Sequence, residues 1–185
     1  FSQPAATQTM LDDAAVDIEA WISAEIERAF AAAESAAFVN GNGTNKPKGF
    51  LTYSTVANAS WSWGNLGFIA SGAAGAFAAS NPSDALVDLV HSLKTLYRQN
   101  GSFVMNRKTQ GVIRKFKDTQ GNYLWQPPSV QGARATLMNF PLVEAEDMPD
   151  IAANSLSIAF GDFERGYVVV DRIGIRTDRK STSLN

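Results

Sequence analysis

The chain has 185 residues, 45% hydrophobic and 18% charged, with a formal net charge of −2. That composition suits one globular unit with room for two subdomains. Sixteen basic against eighteen acidic side chains produce no global field that would draw in nucleic acid. The absence of cysteine excludes disulfides, thiolate nucleophiles and thiolate metal sites, and one histidine excludes a histidine-built zinc site. No uninterrupted apolar run reaches about 18 residues, so no membrane-spanning helix is expected.

Residues Phe1 to Gln8 read as the end of an extended segment. Without a starting Met or a signal peptide, the chain is expected to begin and end inside a longer protein. Thr9-Met10-Leu11-Asp12 matches a capping box, and apolar residues then recur at Leu11, Ala15, Ile18, Ile22, Ile26, Ala29, Ala33 and Ala36. Steps of three and four mark one face of a helix running to about Ala37, roughly 40 Å long. Trp21 and Phe30 widen that face, either for a core or for contact with another subunit. Glu19, Glu25, Glu27 and Glu34 fit a solvated face better than a paired-carboxylate site, because Glu27 and Glu34 lie two turns apart.

The helix runs into Phe38-Val39-Asn40-Gly41-Asn42-Gly43-Thr44-Asn45-Lys46-Pro47-Lys48-Gly49-Phe50-Leu51. Glycine and asparagine tolerate positive φ, so this stretch reads as a helix stop followed by a compact multi-turn loop. Asn40, Gly41, Asn42, Gly43, Thr44, Pro47 and Gly49 are its candidate structural residues. A phosphate loop would need Gly-Lys-Ser/Thr opening a helix; here Pro47 follows Lys46. A calcium loop would need Gly at its sixth position and Glu at its twelfth, and these are Asn45 and Leu51. A rigid structural connector is the reading that remains.

Beyond the loop, Trp61 and Trp63 alternate around Ser62, which predicts a short strand with both indoles on one face. Ala70 to Ser80 is rich in Ala, Gly and Ser, with Phe77 as its one large anchor, and reads as a mobile loop or weak helix. Asn81-Pro82-Ser83-Asp84 marks a helix start with Asn81 as cap. Its predicted buried stripe is Leu86, Leu89, Val90, Leu93, Leu96 and Tyr97, and Asn100-Gly101 ends it. His91 falls at the stripe's edge, with no Ser or Asp partner indicated for general-base work. Phe103-Val104-Met105 predicts a short buried strand, and about Arg107 to Phe116 a helix with Val112, Ile113 and Phe116 inside. Arg107, Lys108, Arg114, Lys115 and Lys117 form the only dense basic cluster, facing solvent, an acidic neighbour or packaged nucleic acid.

Tyr123-Leu124-Trp125 leads into an extended loop at Pro127-Pro128. Ala135 to Glu144 predicts two strands about a turn at Pro141. Glu144, Glu146, Asp147 and Asp150 form an acidic loop; carboxylates hold a divalent ion only when they converge, and the linear run beside Met148-Pro149 favours exposure. Leu156 to Phe160 alternates as a half-buried strand does, Gly161-Asp162 turns, and Tyr167 to Val170 and Ile173 to Thr177 read as strands.

Taken in order, these segments resemble the major capsid proteins of tailed bacteriophages, the Hong Kong 97-type shell fold. The resemblance rests on Phe38 to Thr44, Lys46 to Leu51, the helix Asp84 to Tyr97, and Phe103-Val104-Met105-Asn106-Arg107. It continues through Lys117-Asp118, Gly121, Tyr123-Leu124-Trp125, Phe140-Pro141-Leu142-Val143, Glu146-Asp147-Met148-Pro149 and Ile158 to Phe163. Each motif is short and chemically plain; the ordered series over nearly the whole chain is what is specific. The resemblance implies an α+β fold with a long spine helix, a compact mixed axial domain at 39–162, and a partial peripheral domain made of 1–38 and the returning strands of 163–185. It implies a subunit that meets copies of itself in pentamers and hexamers, with scaffold, protease and portal proteins as further partners. The shell would enclose DNA without sequence-specific binding, with no membrane, cofactor or metal and no catalytic residue. Relative to that family the chain lacks an N-terminal arm, the extended loop before the helix, and sequence after Asn185, so this stretch alone is expected not to form shells. A bacterial encapsulin-type compartment is the alternative within the class. A carboxylate enzyme built on Glu144, Glu146, Asp147 and His91, or a ligand-binding module using Trp61 and Trp63, are the alternatives outside it.

Overall fold

The computed structural model describes residues 17–125 and 135–170. Its centre is a four-stranded mixed sheet in the order β6-β7-β5-β8. Strand β5 (Ser102–Met105) pairs in parallel with β7 (Phe140–Glu144) and antiparallel with β8 (Ile158–Gly161), while β6 (Thr136–Leu137) pairs antiparallel with β7. Two small outlying sheets complete the strands: β1 (Thr55–Ala57) with β2 (Leu66–Phe68), and the hairpin β3 (Gly72–Ala73) with β4 (Ala76–Phe77). Helices α1 (Ile18–Asn40), α2 (Asp84–His91), α3 (Thr95–Arg98), α4 (Arg107–Arg114) and α5 (Phe163–Gly166) surround them.

The apolar run of β5 explains the layering. Successive side chains on a strand point to opposite faces, and a strand covered on both sides has no need of alternation. Phe103 and Met105 are fully buried and join Leu86 and Val90 of α2, Ile113 of α4 and Leu137 of β6 in one cluster. Val104, between them, points the other way and joins Val39 at the end of α1 and Met148, with Phe50 and Phe163 packed against them. One strand therefore organises two cores. Over the first, the rings of Phe103 and Phe160 stand 4.6 Å apart, and those of Phe140 and Phe160 5.0 Å apart. An added Cβ on Gly101 would lie 2.5 Å from the Phe160 ring, so only glycine fits there.

Several elements depart from the sequence reading, each for an identifiable reason. Within the described residues the long helix starts at Ile18, where the Asp17 side chain accepts from the Ala20 N–H; the Thr9 capping box lies outside them. The helix predicted through Tyr97 breaks after His91. Ser92 turns its hydroxyl onto the Leu89 carbonyl and Lys94 is extended, so α3 is a separate turn on which Leu96 and Tyr97 are exposed. The predicted start at Asn81 shifts too: Asn81 takes positive φ and the regular helix begins at Asp84. Ala70 to Ser80 forms no helix and instead carries the β3–β4 hairpin, with Gly72 and Gly75 at positive φ and Phe77 stacked edge-on against Phe116 at 4.9 Å. Trp61 and Trp63 form no strand. Trp61 follows a 3₁₀ turn at Asn58–Ser60 and donates its indole N–H to the Asn65 carbonyl, while Trp63 sits in the turn after it, 92% exposed.

In the second half of the chain the β6–β7 turn lies at Met138-Asn139, both at positive φ, rather than at Pro141. Pro141 stands in β7 one residue before its pairing with β5 begins at Phe103↔Leu142, where its missing N–H removes no ladder bond. On α4, Ile113 is buried but Val112 is exposed. After β8, Asp162 caps the short α5, which the sequence did not signal, and the strand expected at Tyr167 to Val170 does not form: no described strand pairs with it, and Val168 and Val170 are exposed. The strand expected at Ile173 to Thr177 lies outside the described residues.

Asn106 joins these layers. It is buried, caps α4 by accepting from the Thr109 N–H at 2.8 Å, and donates its side-chain amide to the Met148 carbonyl and to Asp150 Oδ1 at 2.9 and 2.8 Å. Replacing it by Ala removes a helix cap and leaves buried acceptors unmet, so Asn106→Ala is expected to cost about 2–4 kcal/mol in urea unfolding of the full-length subunit. Asn106→Asp keeps the cap acceptor yet sets a second carboxylate against Asp150, so it is expected to be no better than Ala at neutral pH and to recover relative to Ala on acidification.

Candidate functional site

The end of α1, the loop after it and the acidic segment 144–150 meet on one side of the sheet. Among the described residues, the long helix buries a side chain only at Val39. Its last turn is tied down by polar contacts: Ser35 donates to Asp147 Oδ2 at 2.7 Å, and Asn40, the final helical residue, donates its side-chain amide to the Asp147 carbonyl at 2.7 Å. The acidic segment is held in turn to β5 and α4. Asp150 accepts from Asn106 and from Lys108 at 2.7 Å, and Glu146 faces Arg107 at 3.3 Å. The helix thus reaches the central strand through a chain of hydrogen bonds beside the Val39–Val104–Met148 contact.

The loop closes on the helix that feeds it. Gly41 N–H donates to the Ala37 carbonyl at 2.8 Å, and Gly49 N–H donates to the Gly41 carbonyl at 2.8 Å. Asn42 faces Lys48 across an isolated antiparallel bridge. Thr52 sets its hydroxyl between the Gly49 and Gly41 carbonyls, 2.7 and 3.1 Å away. Tyr167 donates its hydroxyl to the Lys48 carbonyl at 2.9 Å; burial first, then the Tyr53 phenol, raises its pKa above the usual 10.0, so it stays a donor. At the exposed tip, Asn42 Oδ1 accepts from the Thr44 N–H at 3.0 Å.

The glycines act in two ways, and only one was foreseen. Gly43 and Asn45 take positive φ. Gly41 and Gly49 do not: their φ values are −61° and −65°. Both are needed for close approach instead. A Cβ on Gly41 would fall onto the Pro47 and Ala37 carbonyls, and one on Gly49 onto the Val39 peptide. Gly41, Gly49 and the Pro47 carbonyl therefore form one packed junction, with Asn40 at its edge and Asn42, Gly43 and Thr44 at the exposed tip.

The other candidates are dispersed. Among the described residues, no three His, Asp or Glu side chains converge as metal ligands would. His91 Nδ1 contacts Arg98 at 3.0 Å, away from the acidic segment. The basic cluster is largely engaged within the chain: Arg107 and Lys108 pair with carboxylates, Arg114 lies over the Trp125 ring and Lys117 over Tyr123. Asn106 was missed as a site residue; a polar residue directly after an apolar strand and three before Thr109 is the capping signal that marks it.

Two outcomes follow. Gly41→Ala is expected to destabilise the full-length subunit by about 3 kcal/mol. Gly111→Ala, in α4 with nothing within 4 Å of its added Cβ, is expected to stabilise it by up to about 1 kcal/mol. Both are read from unfolding midpoints. The second outcome concerns acid. Hydrogen bonding from Lys108, then its charge, with a further bond from Asn106, outweighs desolvation and holds the Asp150 carboxyl below its usual 3.8. A depressed folded-state pKa gives stability that is present above 3.8 and lost as pH falls through the folded value. As pH is lowered from 3.8 through that folded value, stability should fall less steeply in Asp150→Asn than in the unsubstituted protein.

The chain has clear relatives. The phage capsid family model matches residues 2–185. Among solved structures, the capsid of an empty GTA particle computed with C5 symmetry is 56% identical, with a TM-score of 0.81, covering 88% of this chain and 55% of that one. The capsid of a native GTA particle, also computed with C5 symmetry, is 55% identical, with a TM-score of 0.80 and the same coverage. The chain thus spans about half the length of these subunits. No curated protein matches it. The mixed helix-and-strand architecture agrees with the Hong Kong 97-type fold, and the chain belongs to the phage capsid family.

Proposed function

We propose that the intact subunit assembles with copies of itself into the icosahedral head of a phage or prophage particle and encloses DNA there. One observation carries this: 56% identity across 88% of the chain to a subunit solved within a fivefold-symmetric capsid. Fivefold and sixfold rings of identical contacts need geometry rather than chemistry. The side chains with chemical potential here serve structure, since Asp147, Asp150 and Glu146 hold the helix, α4 and β5 together.

In this reading residues 39–162 form the unit that meets its copies around the symmetry axes, and 1–38 with 163–185 belong to the peripheral part. The returning chain meets that unit at the Val104 face, where Phe163 packs against Val39, Val104 and Met148. Scaffold, protease and portal proteins are the further partners the reading implies, with the mature subunit in the virion shell.

The lobe at residues 53–68 is proposed as a contact between copies. It presents Tyr53, Trp61, Trp63, Leu66 and Phe68 to solvent, and an aromatic 92% exposed is the kind of side chain that interfaces bury. Negative-stain electron microscopy of the full-length protein, expressed alone and with its scaffold or protease, tests the assembly. Regular icosahedral particles are expected; a small monodisperse species under every condition would overturn it. Trp63→Ala is expected to leave the subunit's stability within about 0.5 kcal/mol while lowering particle yield. Unchanged yield would remove the lobe from the contact.

A further inference from the structure

The chain contains three Asn-Gly bonds, at 40–41, 42–43 and 100–101. Asn-Gly is the dipeptide most prone to intramolecular attack on a side-chain amide, because glycine leaves its nitrogen unshielded. We propose that the loop at the end of α1 makes Asn42 a site of spontaneous covalent modification and that the fold protects the other two. The Gly43 backbone nitrogen loses its proton to solvent base and attacks Asn42 Cγ. A Cγ–N bond forms, the Cγ–Nδ2 bond breaks, and the side-chain nitrogen leaves as ammonia. Water then opens the succinimide at either carbonyl, giving aspartate or isoaspartate at residue 42. The balance is one water consumed and one ammonia released, with no change of oxidation state.

The selection is geometric. Gly41 is buried, its N–H is fixed in a 2.8 Å bond to the Ala37 carbonyl, and the Asn40 amide is held by the Asp147 carbonyl. Gly101 is buried under the Phe160 ring and its N–H is fixed to the Arg98 carbonyl at 3.0 Å. A nitrogen held that way is neither readily deprotonated nor free to rotate onto the neighbouring side chain. At the third site both residues are exposed, and Gly43 sits at φ +77°. The Asn42–Lys48 bridge directs the Gly43 N–H toward the Pro47 carbonyl, but in a weaker bond than those that fix the Gly41 and Gly101 nitrogens. The Asn42 side-chain oxygen, Oδ1, accepts from the Thr44 N–H at 3.0 Å, which folds the side chain over its own following peptide and polarises the amide under attack.

The product would alter the junction. Isoaspartate lengthens the backbone by one methylene beside the Gly49-to-Gly41 bond, and either product adds a negative charge opposite Lys48. The test incubates the folded full-length subunit in mildly alkaline buffer. Peptide mass mapping with isoaspartyl-methyltransferase labelling then follows residues 40, 42 and 100, with urea-unfolded protein alongside. In the folded protein, residue 42 is expected to react severalfold faster than the other two; in urea, all three at similar rates. Gly43→Ala should slow the reaction severalfold, and Asn42→Ser, which retains a short hydroxyl acceptor for Thr44, should abolish it. Modification of residue 40 or 100 as fast as 42 in the folded subunit would overturn the proposal. So would an unmodified residue 42 after a period in which the unfolded chain has fully reacted.

Discussion

The structure depends on the burial of one four-residue strand on both of its faces. Phe103 and Met105 face helices α2 and α4, and Val104 faces the end of α1. Each fully buried side chain of this size contributes on the order of 1.5–3 kcal/mol relative to exposure. More important than the sum is that the contributions are shared across two layers. Loosening the Val104 side would release the long helix, while the Phe103 side would still hold the compact sheet. The Val104 layer is not closed by hydrophobic contact alone, because among the described residues α1 offers it a single buried side chain, Val39.

Polar groups complete that attachment. Asp147, Asp150, Ser35, Asn40 and Asn106 sit where the helix end, the acidic segment and the strand end converge. Such bonds are directional, and a buried donor left without a partner costs more than a made bond contributes. They therefore fix the angle at which the helix leaves the sheet more sharply than a greasy contact would. For the proposed assembly, which depends on the direction of contacts between copies, that angle is a functional quantity. The two glycines at the junction serve the same end, since Gly41 and Gly49 let two backbones meet where any side chain would wedge them apart.

Some of this was legible in the sequence. The helical period from Ile18, the loop at Asn40 to Gly49, the buried Phe103-Val104-Met105 and the helix at Arg107 all follow from local pattern. What escaped lay in competition between local signals and packing. No proline or glycine announces the break at Ser92; a serine hydroxyl captures a carbonyl and an extended Lys94 does the rest. Alternation of Trp61 and Trp63 suggested a strand, but nothing packs over either face to reward one. Pro141 suggested a turn, yet two residues at positive φ just before it make the turn first. The sequence reading of Gly41 and Gly49 rested on positive φ, and both take negative φ. Close backbone approach leaves no mark in a sequence beyond the glycine itself.

Exposure also bears on assembly. Among the described residues nine apolar side chains are buried, whereas large ones such as Trp21, Trp63, Leu96, Val168 and Val170 remain exposed. A monomer built this way forgoes hydrophobic stabilisation that a complete subunit in contact with its copies would recover. Anything that binds the folded subunit but not the unfolded chain adds stability by mass action. Assembly would then be part of how the fold is stabilised. A sparse core, directional polar bonds at the helix end and exposed aromatics are mutually consistent with the proposed assembly into a lattice of copies.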